Sequence, residues 1–296
     1  MSWTHEHSWR LEAPPARVFA VLTDPAELTT WFAEHVDVSL ASGGRYRFWG
    51  RHTLGAPSRE EAGQTMTRLE PGRALGFTWL LHGVPTTVDL ALAADGEATR
   101  LTLHHLVEGE LPLPRPKELI DDHWRLAFGN LAAHLAGGSG IVLPDYADPA
   151  PEVRLTISID APREAVFRAL IEPEAINKWF DSGSAVVEAR QGGRYNLGWK
   201  YKVDGRDVEG GPTKILEFIP NEKLVLDWPD WRGDKSVAGQ RITFQLEAEG
   251  SGTKLTFVHS GFDRTTDIGD YPFGWVYFIG KLGDGFKAAL VISHSR

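Results

Sequence analysis

The chain has 296 residues, enough for about two domains with ordinary hydrophobic cores. Apolar residues make up 42% and charged residues 24%, which excludes a disordered tail, a collagen and a coiled coil, and the lack of cysteine excludes disulfide frameworks, thiol nucleophiles and thiolate metal sites. The net charge of −9 comes without any Lys/Arg run, so no nucleic-acid partner is expected; no apolar run approaches a membrane span and no signal core opens the chain, so the expected location is cytoplasmic.

The chain repeats itself. Residues 11–32 and 159–180 share Ala-Pro, a Val-Phe pair, a later Pro and a final Trp-Phe, with a constant offset of 148 from Phe19 to Phe167 and from Trp31 to Trp179. Gly43-Gly44-Arg45-Tyr46 then matches Gly192-Gly193-Arg194-Tyr195, and Trp79 matches Trp228, at 149. Thr99-Arg100-Leu101-Thr102 matches Thr253-Lys254-Leu255-Thr256 at 154, the larger offset marking an insertion in the second copy. A period this long is a domain duplication, not a solenoid. Gly137-Gly138-Ser139-Gly140 and a Pro-rich stretch through Pro151 separate the copies. The expected organisation is a domain over 1–140, a linker over 141–152 and a domain over 153–296.

Within each copy the periodicity runs in the same order. An alternating strand (Leu155, Ile157, Ile159) leads to Ala-Pro and a helix whose apolar face carries Phe167, Leu170 and Ile171. Glu172-Pro173 breaks it, and Ile176, Trp179 and Phe180 mark a second short helix. After Gly192-Gly193 the period becomes two: Tyr195, Leu197, Trp199 and Tyr201 share one side of a predicted strand, and Asp204-Gly205 signals a hairpin. Strands near 214–219, 224–228, 241–247 and 253–260 follow. A closing helix carries Trp124, Phe128, Leu131 and Leu135 in copy one, and Trp275, Phe278, Leu282 and Phe286 in copy two. Such a meander is apolar on one face and must be covered by that helix, an α+β layer.

These motifs, with Thr253 to Phe262 and the Gly274-Trp275 that opens the last helix, resemble the activator-of-heat-shock-protein-ATPase homologue family of the START-like (SRPBCC, helix-grip) superfamily. The resemblance implies tandem helix-grip domains, each a curved antiparallel sheet wrapped around a long C-terminal helix with two short helices after the first strand. It also implies a cavity between sheet and helix that takes hydrophobic or aromatic small molecules. Copy one departs from the pattern after His105 and carries a proline-rich stretch at 111–116, so its rim is expected to be rebuilt.

Strand parity puts His259 with Leu255 and Phe257, and His105 with Leu101 and Leu103, on the apolar side. Either imidazole is a candidate for ligand contact or for acid–base work; the plainer reading of each is a core histidine bonded to a backbone carbonyl or to the tip of a Trp. In copy two the cavity candidates are Trp179, Phe180, Tyr195, Trp199, Trp228, Phe257, His259, Trp275 and Phe278. In copy one they are Trp31, Phe32, Tyr46, Trp79, His105 and Trp124. Glu217 and Asp227 lie on neighbouring strands but do not read as a catalytic pair. His5 and His7 share one side of an extended segment without a third metal ligand in view, so neither a metal nor a cofactor is expected. The leading reading is a small-molecule binding protein; a co-chaperone of a heat-shock ATPase and a cavity enzyme of cyclase or hydrolase type, with a histidine acid or base, are the alternatives.

Overall fold

The computed structural model describes residues 2–138, 140–203, 205–230, 239–262, 268–286, 288 and 290–291. Ser139 of the Gly/Ser stretch and Asp204 of the hairpin signal lie outside them. The chain divides into two compact units, Met1–Asp148 and Pro149–Arg296.

The first unit runs β1 (Trp3–Leu11), α1 (Pro15–Thr23), α2 (Pro25–Trp31), β2 (His35–Val38), β3 (Tyr46–Trp49), β4 (Met66–Glu70), β5 (Ala74–Leu81), β6 (Val84–Asp95), β7 (Ala98–Val107) and α3 (Pro116–Leu135). Its main sheet is antiparallel in the order β1-β7-β6-β5-β4, so the first strand closes back against the last. The helix pair is punctuated by Asp24, whose side chain accepts from the Ala26 and Glu27 amides while Pro25 occupies the first turn, as N-cap chemistry requires. Ile120, Trp124, Phe128 and Leu131 form the buried stripe of α3.

The second unit repeats the plan with β8 (Val153–Ile159), α4 (Arg163–Ile171), α5 (Pro173–Trp179), β9 (Val186–Val187), β10 (Tyr195–Asn196), β11 (Trp199–Val203), β12 (Arg206–Gly210), β13 (Ile215–Ile219), β14 (Lys223–Trp228), β15 (Gln240–Glu249), β16 (Gly252–Ser260), α6 (Tyr271–Asp284) and β17 (Leu290–Val291). The sheet order is β13-β14-β15-β16-β8-β17, where β17 pairs onto the outer side of β8. The fold is the expected mixed α+β plan, twice over. No helix among the described residues is long and apolar enough to cross a membrane.

One predicted strand is interrupted. The alternation from Tyr195 to Tyr201 breaks at Gly198, which has φ +71° and whose amide is held by Asn196 Oδ1 at 2.7 Å, a local side-chain turn that competes with the ladder. Tyr195 and Trp199 therefore belong to different strands, and Trp199 pairs across a hairpin with Gly210.

The repeated motifs are fasteners. Gly43 and Gly192 have φ near +72°, and a Cβ on Gly44 or Gly193 would sit 2.3 or 2.1 Å from a backbone carbonyl, so only glycine fits. The tyrosine that follows ties the meander to the first helix: Tyr46 donates to Leu22 O at 2.7 Å and Tyr195 to Leu170 O at 2.9 Å. Thr99 and Thr253 each donate to the alanine carbonyl of Ala-Pro, at 2.6 and 2.7 Å.

Candidate functional site

In the second unit, β14, β15, β16 and α6 converge on a polar chain inside an aromatic shell. Trp275 Nε1 donates to His259 Nδ1 at 2.9 Å. That fixes the proton on the other ring nitrogen, and His259 Nε2 donates to Gln240 Oε1 at 2.9 Å. The amide is thereby oriented with its NH2 leading away from His259. Among the described residues Gln240 Nε2 has no hydrogen-bond partner, nor does the buried Nε1 of Trp228, and these two residues sit opposite each other in the β14–β15 register. Two buried donors thus belong to facing residues of neighbouring strands.

Rings surround them. Trp228 lies 4.9 Å from Trp275, 5.8 Å from His259 and 6.4 Å from Trp199 between centroids. Phe257 lies 4.3 Å from Trp275, and Phe180 bridges Trp179, Trp199 and Phe278. Tyr195, Phe180, Phe257 and His259 are wholly buried, whereas Trp199 and Phe278 are half-buried and form the accessible side of the cluster. Beside it Asp181 accepts from Tyr277 at 2.8 Å and pairs with Lys281, and the lysine contact holds its carboxyl below the usual range. At the first turn of α6, a Cβ added to Gly274 would meet no heavy atom of the described residues within 4 Å. Burial holds the His259 imidazole well below its ordinary 6.5, so it is neutral at physiological pH.

The first unit keeps half of this chain. Trp124 Nε1 donates to His105 Nδ1 at 3.0 Å, but the register position of Gln240 is taken by Thr86, opposite Trp79. The Thr86 hydroxyl turns to Trp79 O at 2.7 Å, leaving His105 Nε2 without a partner among the described residues. Burial, reinforced by His123 and His5, lowers the His105 imidazole to about 3. His123 stands where the second copy has Gly274 and fills the space against Trp79, Trp124 and Phe32. Burial brings it to about 4.

Segment 141–146 is strapped over the same end. Asn130 exchanges two hydrogen bonds with Val142, His52 Nδ1 contacts Pro144 O at 2.9 Å, and the Tyr146 amide donates to Arg51 O at 2.8 Å. What remains between the strap, Trp31, Phe32 and α3 is a cavity of about 10 Å³, room for roughly one water. Tyr46, Trp79, His105 and Trp124 are sealed core residues here, and so are Trp31 and Phe32. Elsewhere in this unit, an open depression of about 730 Å³ is lined by Arg10, Glu12, Asp95 and Glu97, with Arg10 and Asp95 3.4 Å apart, and holds no aromatic residue.

The structure separates Glu217 from Asp227. Glu217 pairs with Lys223 at 2.8 Å, while Asp227 accepts the Thr213 and Lys214 amides at 2.7 Å and so anchors a turn. Gln240 is the member that sequence reading passes over. Its signal is a polar residue at an inward position, in step with Ile242, Phe244 and Leu246.

A family model described as activator of Hsp90 ATPase homolog 1-like protein matches residues 12–136 and again 160–285. No curated protein matches the chain. Similar solved structures include DynU16, a protein of the dynemicin biosynthetic locus, at 17% identity and TM-score 0.41 over 95% of this chain and 98% of that one. MLL2253 from Mesorhizobium loti is 27% identical, with TM-score 0.37, over 45% of this chain and 94% of that one. The Aha1 dimer from Colwellia psychrerythraea is 25% identical, with TM-score 0.36, over 46% and 95%. With two consecutive matches spanning most of its length, the chain belongs to the activator of Hsp90 ATPase homolog 1-like family, carried as two tandem copies.

Proposed function

We propose that the second unit binds a hydrophobic or aromatic small molecule bearing a hydrogen-bond acceptor, seated between the sheet and α6. The observation that carries this reading is the pair of buried donors, Trp228 Nε1 and Gln240 Nε2, on facing register positions with no partner among the described residues. An unsatisfied buried donor costs about 1–3 kcal/mol, and a ligand oxygen placed between the two recovers that cost while the rings supply apolar walls. The first unit, with Thr86 bonded to its own strand and a cavity sized for one water, serves as a closed copy.

This arrangement favours binding over cavity catalysis. Both nitrogens of His259 are engaged and its imidazole stays neutral, so it is an orienting bridge and not an acid or base. The chaperone reading draws on the family description alone and is tested by the ATPase rate of a heat-shock chaperone with and without this protein.

The test begins with native mass spectrometry of the purified chain for a co-purifying small molecule. It continues with tryptophan-fluorescence titrations of 2-acetylnaphthalene, which has a carbonyl acceptor, against naphthalene, which has none. The ketone binds more tightly, and the preference disappears in the Trp228→Phe/Gln240→Leu variant. Equal affinity of the wild type for both probes, or none for either, rejects the reading.

A further inference from the structure

On β1 the inward positions are Trp3, His5, His7, Trp9 and Leu11, and this strand is the edge of its sheet. Its inner face packs on α3. Alternation places the His5 and His7 rings side by side, 6.2 Å between centroids and 16° from parallel. From α3 the structure supplies the acidic group that the sequence left unidentified: Asp121 Oδ1 lies 3.7 Å from His5 Nε2. One ligand atom each from His5, His7 and Asp121 falls within 4.8 Å of the other two.

Two further observations separate this trio from ordinary packing. His5 Nε2 is buried and has no hydrogen-bond partner among the described residues, a cost the fold does not require. The second copy provides the comparison: Val153 pairs with His259 as His5 pairs with His105, Leu155 follows two residues on, and Pro272 holds the α6 position matching Asp121. Apolar residues therefore suffice at these three places in the same fold. In the first copy all three are metal-ligating types, converging from two elements more than a hundred residues apart in sequence.

We propose that His5, His7 and Asp121 form a binding site for one divalent transition-metal ion of the zinc type. Two imidazole nitrogens and one carboxylate oxygen are a donor set that suits zinc-like ions and not magnesium, and three protein ligands leave a fourth position for water or a ligand atom. Tetrahedral bonds of about 2.0–2.1 Å put ligand atoms roughly 3.3 Å apart, so closing onto an ion asks only for a small inward movement of side chains on an edge strand and a helix surface. The site is distinct from the proposed ligand pocket of the second unit and stands or falls separately.

The test is isothermal titration of the untagged, chelator-stripped full chain with Zn2+, paired with the visible absorption of the Co2+ form. The expected result is saturable one-to-one uptake with cobalt bands of a low-coordinate nitrogen/oxygen site. The His5→Val/His7→Leu variant installs the second copy's residues and keeps its thermal melt, and Asp121→Asn leaves the strand untouched. Each loses at least about tenfold in affinity, the least that disturbing a site's supporting residues costs. Absence of saturable uptake by the full chain, or uptake undiminished in either folded variant, overturns the proposal.

Discussion

Gly274 offers a test in which stability and binding move in opposite directions. It lies inside α6, where a Cβ meets no heavy atom of the described residues within 4 Å, so Gly274→Ala adds helix-favouring stiffness without a clash. The gain is about 0.4–1 kcal/mol, drawn mostly from the lost freedom of the unfolded chain. For a unit of this size that is a rise of about 1–4 °C in melting temperature. Gly274→His installs the first copy's His123, a ring that there packs on Trp79 and Trp124. It keeps the fold and occupies the space proposed for the ligand, so 2-acetylnaphthalene affinity falls by more than about tenfold, or 1.4 kcal/mol. The assay is hydrogen-exchange mass spectrometry of α6 peptides for stability and tryptophan fluorescence for binding. A destabilised Gly274→Ala, or a folded Gly274→His that binds as the wild type does, would refute the reasoning, because either result means the space beside the first turn of α6 is not where the ligand sits.

Two other expectations concern the first unit. The hydrogen bond from Arg17, aided by His134, holds the Glu27 carboxyl at about 2 instead of its ordinary 4.5. A depressed carboxyl contributes stability that is fully present above its unfolded value and fades as pH falls from about 4.5 towards 2; melts of wild type and Glu27→Gln therefore differ at neutral pH and converge in acid, and a gap that persists at pH 2 contradicts the assignment. Asn130→Ala removes both bonds to Val142 and leaves a backbone amide and carbonyl unpaired, a loss of about 1–3 kcal/mol. Amide exchange in residues 141–146 should accelerate while the β5–β7 amides stay protected, and unchanged exchange in the strap would show that Asn130 does not hold it.

The architecture was legible because its motifs are fasteners. The Gly-Gly pairs, Tyr46 and Tyr195, Thr99 and Thr253 stand at fixed offsets since each closes one bond or one turn that the fold needs twice. Parity likewise put His105 and His259 on the apolar side, and both bond a tryptophan tip. Legibility ended where a property depends on which strands and helices meet. Gln240 acquires its role through the β14–β15 register and two successive hydrogen bonds, and Asp121 meets His5 only because α3 lies on β1. The break at Gly198 escaped because a side-chain turn at Asn196 outweighs an unbroken alternation of aromatic residues. The strap across the first unit is compositionally a linker, and only its bonds to Asn130, His52 and Arg51 make it a wall.

The indole–imidazole–amide chain of the second unit also sets how its interior responds to the surroundings. Because the ring nitrogens of His259 are spent on Trp275 and Gln240, and burial pushes protonation well below 6.5, the polar floor beneath the ring cluster carries no charge that comes and goes in the physiological range. The donors it presents, an indole and a carboxamide, do not titrate there at all. A guest of the kind proposed, if itself uncharged, would be held with the same grip in mildly acidic and mildly alkaline solution, as by a container whose lining does not register the weather outside.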